Sequence, residues 1–296
     1  MPDRATLVAF GAFVFIGGFN FVGVRFSNRE LAPMVGAGVR FTTAALILLA
    51  VVAVRRLPLA RGRALWAAIL YGLLNFTAAY GLAYWALTRL PAAIGAVVFA
   101  ATPLFTVFLA PLHRIETFRM RGLVGSLITL VGIVVLANPT GTNRLPWLSL
   151  LAMLGSAAAA AEAGVVLKLL PSAHPVATNA IAMGIGGPLL LTASLLVGES
   201  WVLPVETETW LAVSYLAVVG SVGLFGLYLF ILRRWSATST SYATALIPVV
   251  TVFVGSVLAS EAITVPMVIG GAIVLLGVYI GALTGAHPEA APVVAG

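Results

Sequence analysis

Charged residues are scarce in this chain, and cysteine is absent from it. Only 8% of its 296 residues are charged, whereas 61% are hydrophobic, and the mean hydropathy is +1.11. So few charges cannot coat the surface of a water-soluble globule of this length. The absence of cysteine excludes disulfides, thiolate metal sites and cysteine nucleophiles. The composition therefore predicts an integral membrane protein.

Acids and histidines are also too few and too scattered for catalysis inside a membrane. The chain has a single aspartate, Asp3, and three histidines, all of which fall in predicted loops or in the tail. A membrane-embedded transferase that uses lipid-linked substrates would need clustered acids, histidines or a metal. The sequence contains no nucleotide-binding loop either. We therefore predict no enzyme activity, no catalytic residues, no metal site and no cofactor, with such a transferase as the weaker alternative.

Long apolar runs occupy most of the chain. A helix of about 20 apolar residues crosses roughly 30 Å of hydrocarbon, and these runs lack the alternation that is typical of a membrane barrel strand. The predicted fold class is all-α integral membrane, with ten transmembrane helices. The predicted spans are 5–24, 34–54, 65–87, 92–112, 120–138, 146–167, 176–197, 208–232, 238–259 and 264–284.

The positive charges indicate the orientation of these spans. The net charge of the chain is +7. If the N-terminus is cytoplasmic, eleven lysines and arginines fall on the inner side and four on the outer side, with Arg40 inside a span. Because cytoplasmic loops collect positive charge, we expect both termini to be cytoplasmic, with residues 286–296 as a cytoplasmic tail. Orientation explains the excess charge without a nucleic-acid partner.

The chain repeats itself at an offset of 145 residues. Residues 84–137 align without a gap with residues 229–282, and 14 of these 54 positions are identical. Each copy holds five spans, so the second copy enters the membrane from the opposite side. Inverted repeats of this kind are typical of secondary transporters. We therefore expect two inverted five-helix repeats, 1–140 and 145–285.

Two segments of the repeat resemble a known family. They read WALTRLPAAIGAVVFAATPLFTVFLAPLHRIE, which begins at Trp85, and ILRRWSATSTSYATALIPVVTVFVGSVLASE, which begins at Ile231. Both are similar to the duplicated EamA-type module of the drug/metabolite transporter superfamily, and the resemblance extends over nearly the whole chain. Among its members, the aromatic amino acid exporters are the most similar. The first copy departs from the usual pattern, because Pro91 stands where the second copy has Ser236.

The resemblance implies a ten-helix secondary transporter of the bacterial inner membrane. Such a protein exports amino acids, here aromatic or other apolar ones, and related small metabolites by alternating access. Efflux of other small metabolites or of cationic drugs is the alternative. The implied partners are a small-molecule substrate and the lipid bilayer. Proton coupling and the oligomeric state stay open at this point.

Two prolines occupy equivalent positions in spans four and nine. Pro103 and Pro248 each lack an N–H and clash with the carbonyl four residues earlier. The carbonyls of Phe99 and Thr244 then need other partners, because hydrocarbon offers none. As a symmetric pair, the prolines favour helix breaks that flank a central cavity and take part in gating. Kinks that serve only packing are the alternative.

Polar and aromatic residues within the spans form the predicted substrate site. Because a carboxylate inside a membrane is costly, Glu162 either contacts a substrate amine or serves a proton-linked site, or it is half of a structural ion pair or reaches water on the cytoplasmic side. Arg40 either attracts a carboxylate substrate or holds carbonyls of a neighbouring helix. Aromatic rings suit an apolar side chain, and amides and hydroxyls suit the polar end of an amino acid. The predicted substrate-binding residues are Asn20, Asn75, Tyr80, Tyr84, Thr102, Glu162, Tyr228 and Tyr242.

Overall fold

The computed structural model describes residues 4–118, 120–137, 146–171 and 173–280, and these residues form helices and connecting loops without a strand. The helices are α1 (Arg4–Ser27), α2 (Pro33–Arg55), α3 (Arg63–Ala86), α4 (Ala92–Leu112), α5 (Met120–Ala137), α6 (Trp147–Leu169), α7 (Pro175–Val197), α8 (Thr207–Arg234), α9 (Ala237–Leu258) and α10 (Val265–Val278).

The all-α membrane fold is confirmed by these helices. Eight of them, α1 to α4 and α6 to α9, are long and apolar enough to cross a membrane, whereas α5 and α10 contribute shorter apolar segments within the described residues. Nearly every predicted span agrees with its helix to within three residues at each end. The predicted end of span ten and the predicted tail lie outside the described residues. That all ten helices cross the membrane stays a prediction.

Contacts between helices recur at the offset of the sequence repeat. Helix α2 packs against α7, and α5 packs against α10, so that helices of equivalent position meet each other. Helix α1 is equivalent to α6, α3 to α8 and α4 to α9. Accordingly, α1 packs against α9 as α6 packs against α4, and α3 packs against α6 as α8 packs against α1. A two-fold relation between the halves requires such matched contacts. The inversion of the two repeats stays a prediction.

Glycines allow α5 and α10 to approach each other closely. A Cβ atom added at Gly132 would lie 2.7 Å from the backbone nitrogen of Val274. A Cβ atom added at Gly277 would lie 2.7 Å from the carbonyl oxygen of Gly125. Gly132 and Gly277 hold equivalent positions in the two copies. These small residues bring two helix backbones into contact.

Two glutamates cap helices that belong to the opposite half. The carboxylate of Glu261, which follows α9, accepts hydrogen bonds from the N–H groups of Ala92 at 2.7 Å and Ala93 at 3.2 Å, where α4 begins. The carboxylate of Glu116, which follows α4, accepts from the N–H of Thr238 at 3.3 Å and from its hydroxyl, where α9 begins. Each carboxylate satisfies N–H groups that have no partner in their own helix and faces the positive end of the helix dipole. The two caps are reciprocal, because Glu116 and Glu261 are equivalent.

The glutamate caps also explain the departure from the family pattern at Pro91. Helix α9 follows Ser236, whose hydroxyl accepts a hydrogen bond from the Ser239 N–H at 3.0 Å. Pro91, at the equivalent place before α4, has no hydroxyl, and Glu261 bonds to the first two N–H groups of that helix. A carboxylate alone therefore caps the start of α4, whereas a serine hydroxyl and a carboxylate together cap the start of α9.

We predict that Glu261→Gln lowers the free energy of unfolding by about 1–2 kcal/mol, because it removes the charge from a largely buried helix cap that also lies 3.8 Å from Arg25. The control is Glu208→Gln, which breaks an exposed pair with Arg29 and has little effect on stability. Thermal unfolding in detergent measures both variants. Equal unfolding midpoints for Glu261→Gln and Glu208→Gln would contradict the capping role.

Candidate functional site

A cavity lies between the two halves of the chain. Its walls come from α1, α3, α4, α6, α8 and α9, which form three pairs of equivalent helices. The volume open to the centre of a water molecule is about 80 Å³. Most of the surface that lines it is apolar, although ten of the lining residues carry an amide, hydroxyl or phenol group. A mostly apolar cleft with a few convergent polar groups is the usual form of a small-molecule site.

The cavity brings together most of the predicted substrate-binding residues. Six of the eight line it, namely Asn20, Asn75, Tyr80, Tyr84, Thr102 and Tyr228. Glu162 is not among the lining residues, although its neighbour Ala161 is. Tyr242 belongs to α9, and its side chain lies outside the described part of the structure. Substrate binding by these residues stays a prediction.

Glu162 pairs with a histidine. Its Oε1 lies 2.8 Å from Nε2 of His113, which directly follows α4, and its Oε2 is buried without a hydrogen-bond partner. The contact ties α6 to the end of α4. A part for Glu162 in substrate binding or proton coupling stays a prediction. No pattern in the sequence indicates this partner, because His113 and Glu162 are 49 positions apart and meet only through the packing of α4 on α6.

Helix α4 is interrupted just before Pro103, as the sequence predicts. The turn lies at Ala100 and Ala101. The hydroxyl of Thr102 donates to the Phe99 carbonyl at 2.6 Å, which replaces the N–H that the proline lacks. The carbonyl is therefore satisfied inside the protein.

Helix α9 does not share this interruption. It runs without a break from Ala237 to Leu258, through Pro248. The position equivalent to Thr102 is Ile247, which has no hydroxyl to take over a carbonyl in a turn. The expected symmetric pair of helix breaks is therefore a single break in this structure, at Pro103.

Helices α3 and α8 each contain a π-helical segment that the sequence did not predict. The segments are Gly72–Ala79 and Val218–Gly223. They align with each other in sequence at the repeat offset of 145 residues. The hydroxyls of Thr77 and Ser221 donate to the carbonyls five residues earlier, at 3.3 and 2.8 Å. Such segments are frequent at functional sites, and Asn75 in the first of them lines the cavity. Hydrophobic patterns do not distinguish a π turn from an α turn in an apolar helix.

Arg40 of α2 is fully buried and holds the π-helical segment of α8. Its Nε donates to the Ser221 hydroxyl at 2.8 Å, and its Nη2 donates to the Gly220 carbonyl at 2.7 Å. The side-chain amide of Asn20 donates to the same carbonyl at 3.1 Å. Nη1 lies 3.4 Å from the hydroxyl of Tyr84. Of the two roles that the sequence left open, Arg40 therefore performs at least the holding of carbonyls.

Aromatic rings form one rigid part of the cavity wall. The rings of Phe41 and Tyr80 meet edge to face with centroids 4.8 Å apart, and those of Phe76 and Phe225 meet in the same way at 4.7 Å. Edge-to-face contacts of this kind stabilise a packed arrangement beyond the area that they bury. Tyr80 and Phe225 line the cavity, so their ring faces are held in place from behind.

A cavity between paired halves of a bundle of membrane helices is the site architecture of a transporter. The EamA-like transporter family matches residues 4–138 and 147–282. The chain belongs to this family and is a multi-pass membrane transporter, not an enzyme.

Several known proteins are similar to the chain over most of its length. It is 33% identical to "Uncharacterized inner membrane transporter YedA" of Escherichia coli K12, with 99% of this chain and 98% of the relative covered. It is 23% identical to "Probable amino-acid metabolite efflux pump" of Salmonella typhimurium LT2, with 90% of this chain and 91% of that one covered. A solved crystal structure aligns with a TM-score of 0.69 at 21% identity over 96% of this chain and 100% of its own, and so shares the fold.

We predict that Gly220→Ala destabilises the protein by about 1–3 kcal/mol, because a side chain there overpacks the site. Its Cβ would lie 2.2 Å from Oδ1 of Asn20. The matched control is Gly226→Ala, in the same helix, whose Cβ would meet nothing within 4 Å. Thermal unfolding in detergent compares the two variants. Unfolding midpoints that match each other would show that the contact of Asn20 with the Gly220 backbone is not tight.

Proposed function

We propose that this protein is a secondary transporter that exports amino acids, with aromatic or other apolar ones preferred, and related small metabolites. The cavity between the halves is the substrate site. The observation that carries the proposal is the composition of the cavity wall. This wall combines aromatic rings with isolated polar groups, and equivalent helices of both halves contribute to it. The protein lies in the bacterial inner membrane with both termini in the cytoplasm.

Unpartnered polar atoms in the cavity wall support an amino acid as the substrate. Oδ1 of Asn20, Nδ2 of Asn75 and Oγ of Ser156 are buried and have no hydrogen-bond partner in the described part of the chain. All three residues line the cavity. Buried polar groups normally have hydrogen-bond partners. One acceptor, one donor and one hydroxyl without partners therefore suit a ligand that brings its own donors and acceptors. The ammonium and carboxylate of an amino acid supply both.

The aromatic part of the wall supports an apolar or aromatic side chain on that substrate. Tyr80, Phe225 and Tyr228 contribute rings to the cavity, and Phe13 and Phe21 contribute two more from α1. Ring faces bind apolar groups over a large area. The name of the Salmonella relative, a probable amino-acid metabolite efflux pump, agrees with this substrate class.

Alternating access follows from the paired halves. Glu116 and Glu261 cap helices at opposite ends of the antiparallel pair α4 and α9. Movement of one half against the other separates one capping glutamate from its helix while the other stays bonded. The two caps thereby close the inner and the outer end of the cavity in turn. The interruption of α4 before Pro103 provides a bend for this movement.

The proposal is tested by uptake of labelled amino acids into liposomes that contain the purified protein. We expect uptake of large apolar and aromatic amino acids, and competition by their unlabelled forms. If no amino acid is taken up or competes, while sugars or quaternary cations do, the protein transports another class of substrate.

Within the same assay, we predict that Asn75→Ala lowers the apparent affinity for the transported amino acid about tenfold or more, because a hydrogen bond to a charged group is lost. The control is Thr192→Ala, an exposed position on α7 whose hydroxyl bonds only to its own helix. An Asn75→Ala variant that transports like Thr192→Ala would remove Asn75 from the binding site.

A further inference from the structure

Arg40 is a buried cation that has no acidic partner among the described residues. Its exposed fraction is 0%. In the described part of the chain, Arg25 pairs with Glu261, Arg29 pairs with Glu208, and His113 contacts Glu162, but no acidic side chain lies within ion-pair distance of Arg40. A charge at membrane depth usually has an opposite charge or a functional reason to be there.

The hydrogen bonds of Arg40 do not cancel its charge. They use three of the five N–H groups of the guanidinium. The acceptors are the Ser221 hydroxyl, the Tyr84 hydroxyl and the Gly220 carbonyl, all of which are neutral. Neutral dipoles solvate a cation but leave its net charge in place. In a medium of low dielectric constant this charge acts over a longer distance than in water.

The guanidinium lies directly behind the cavity wall. Its central carbon is 5.0 Å from the centroid of the Tyr80 ring, and its Nη1 is 3.4 Å from the Tyr84 hydroxyl. Both tyrosines line the cavity. No acidic side chain is among the residues that line it in the described structure. The cavity therefore faces an uncompensated positive charge across one layer of tyrosines.

Tyr84 connects this charge to the cavity. Its hydroxyl oxygen accepts from Arg40, and its own O–H hydrogen stays available for donation. A hydroxyl that accepts from a cation becomes a stronger donor, because hydrogen bonds in a chain polarise one another. The group that such a donor binds best is an anion, and a carboxylate fits because oxygen atoms of carboxylates accept charge-assisted hydrogen bonds.

We propose that Arg40, acting through Tyr84, makes the cavity select substrates that carry a carboxylate and reject those that carry only a positive charge. The inference rests on the proposed function and names the part of the amino acid that is recognised. Arg40 is a positioning and selectivity residue, since Tyr84 and not the guanidinium lines the cavity. The carboxylate of the substrate lies toward Tyr84, and its side chain lies toward the other rings.

The test compares four ligands that share a phenyl ring. Phenylalanine carries both charged groups, 3-phenylpropanoate only the carboxylate, phenethylamine only the ammonium, and phenylalaninamide has the ammonium with a neutral amide. Binding to the purified protein and competition with labelled phenylalanine in liposomes are both measured. We expect the two carboxylates to bind about tenfold or more tightly than the two ligands without one. Equal binding of phenethylamine or phenylalaninamide overturns the inference, while uptake of phenylalanine still supports the proposed function.

Variants then assign the preference to Arg40. Arg40→Gln keeps an N–H donor and removes the charge. The ratio of the affinities for ligands with and without a carboxylate then falls toward one. Arg40→Lys restores the charge and part of the preference, and Arg29→Gln, which removes an exposed arginine, leaves the preference unchanged. If Arg40→Gln does not fold, Tyr84→Phe gives the decisive result, because it keeps the charge and removes the donor. A carboxylate preference that persists in a folded Arg40→Gln, or in Tyr84→Phe, contradicts the assignment.

Discussion

In hydrocarbon, a backbone group that loses its helical partner must find another one inside the protein, and several irregular points of this structure meet that constraint with side chains. Glu261 satisfies the first N–H groups of α4. Thr102 satisfies the carbonyl that Pro103 leaves free. Arg40 and Asn20 converge on the carbonyl of Gly220 in the π-helical segment of α8. Several of these partners come from the other half of the chain, so the same bonds that satisfy the backbone also hold the halves together.

The two halves are related but not interchangeable. Their caps are reciprocal, their π-helical segments correspond, and their helix contacts match. Yet α4 is interrupted where α9 is continuous, and the residues at the equivalent positions, Thr102 and Ile247, differ in the hydroxyl that satisfies a free carbonyl. Helix α4 is consequently the interrupted one of the pair. A transporter whose halves move against each other then has one interrupted and one continuous helix beside the same cavity.

The helix positions and much of the cavity could be predicted from the sequence, because apolar length fixes membrane helices and polar groups stand out within them. Asn20, Asn75 and Tyr228, from three different helices, were predicted for one site and line one cavity. The partner of Glu162, the reciprocity of the glutamate caps and the π-helical segments were not predictable. Each of these depends on contacts between distant positions or on a backbone change that hydrophobic periodicity does not register. A break was also expected at Pro248, whereas α9 continues through that residue, because a proline alone does not determine whether its helix breaks.

The central claim is that the cavity is a substrate site that opens to each side of the membrane in turn. The absence of cysteine makes this directly measurable, because a single cysteine in place of Ala160, which lines the cavity from α6, is the only thiol in the protein. Modification by a membrane-impermeant thiol reagent is measured from each side in oriented vesicles, with and without the transported amino acid. Alternating access predicts modification from both sides, slowed by the substrate and absent in the cysteine-free protein. Modification from one side only, at a rate that the substrate does not change, would contradict it.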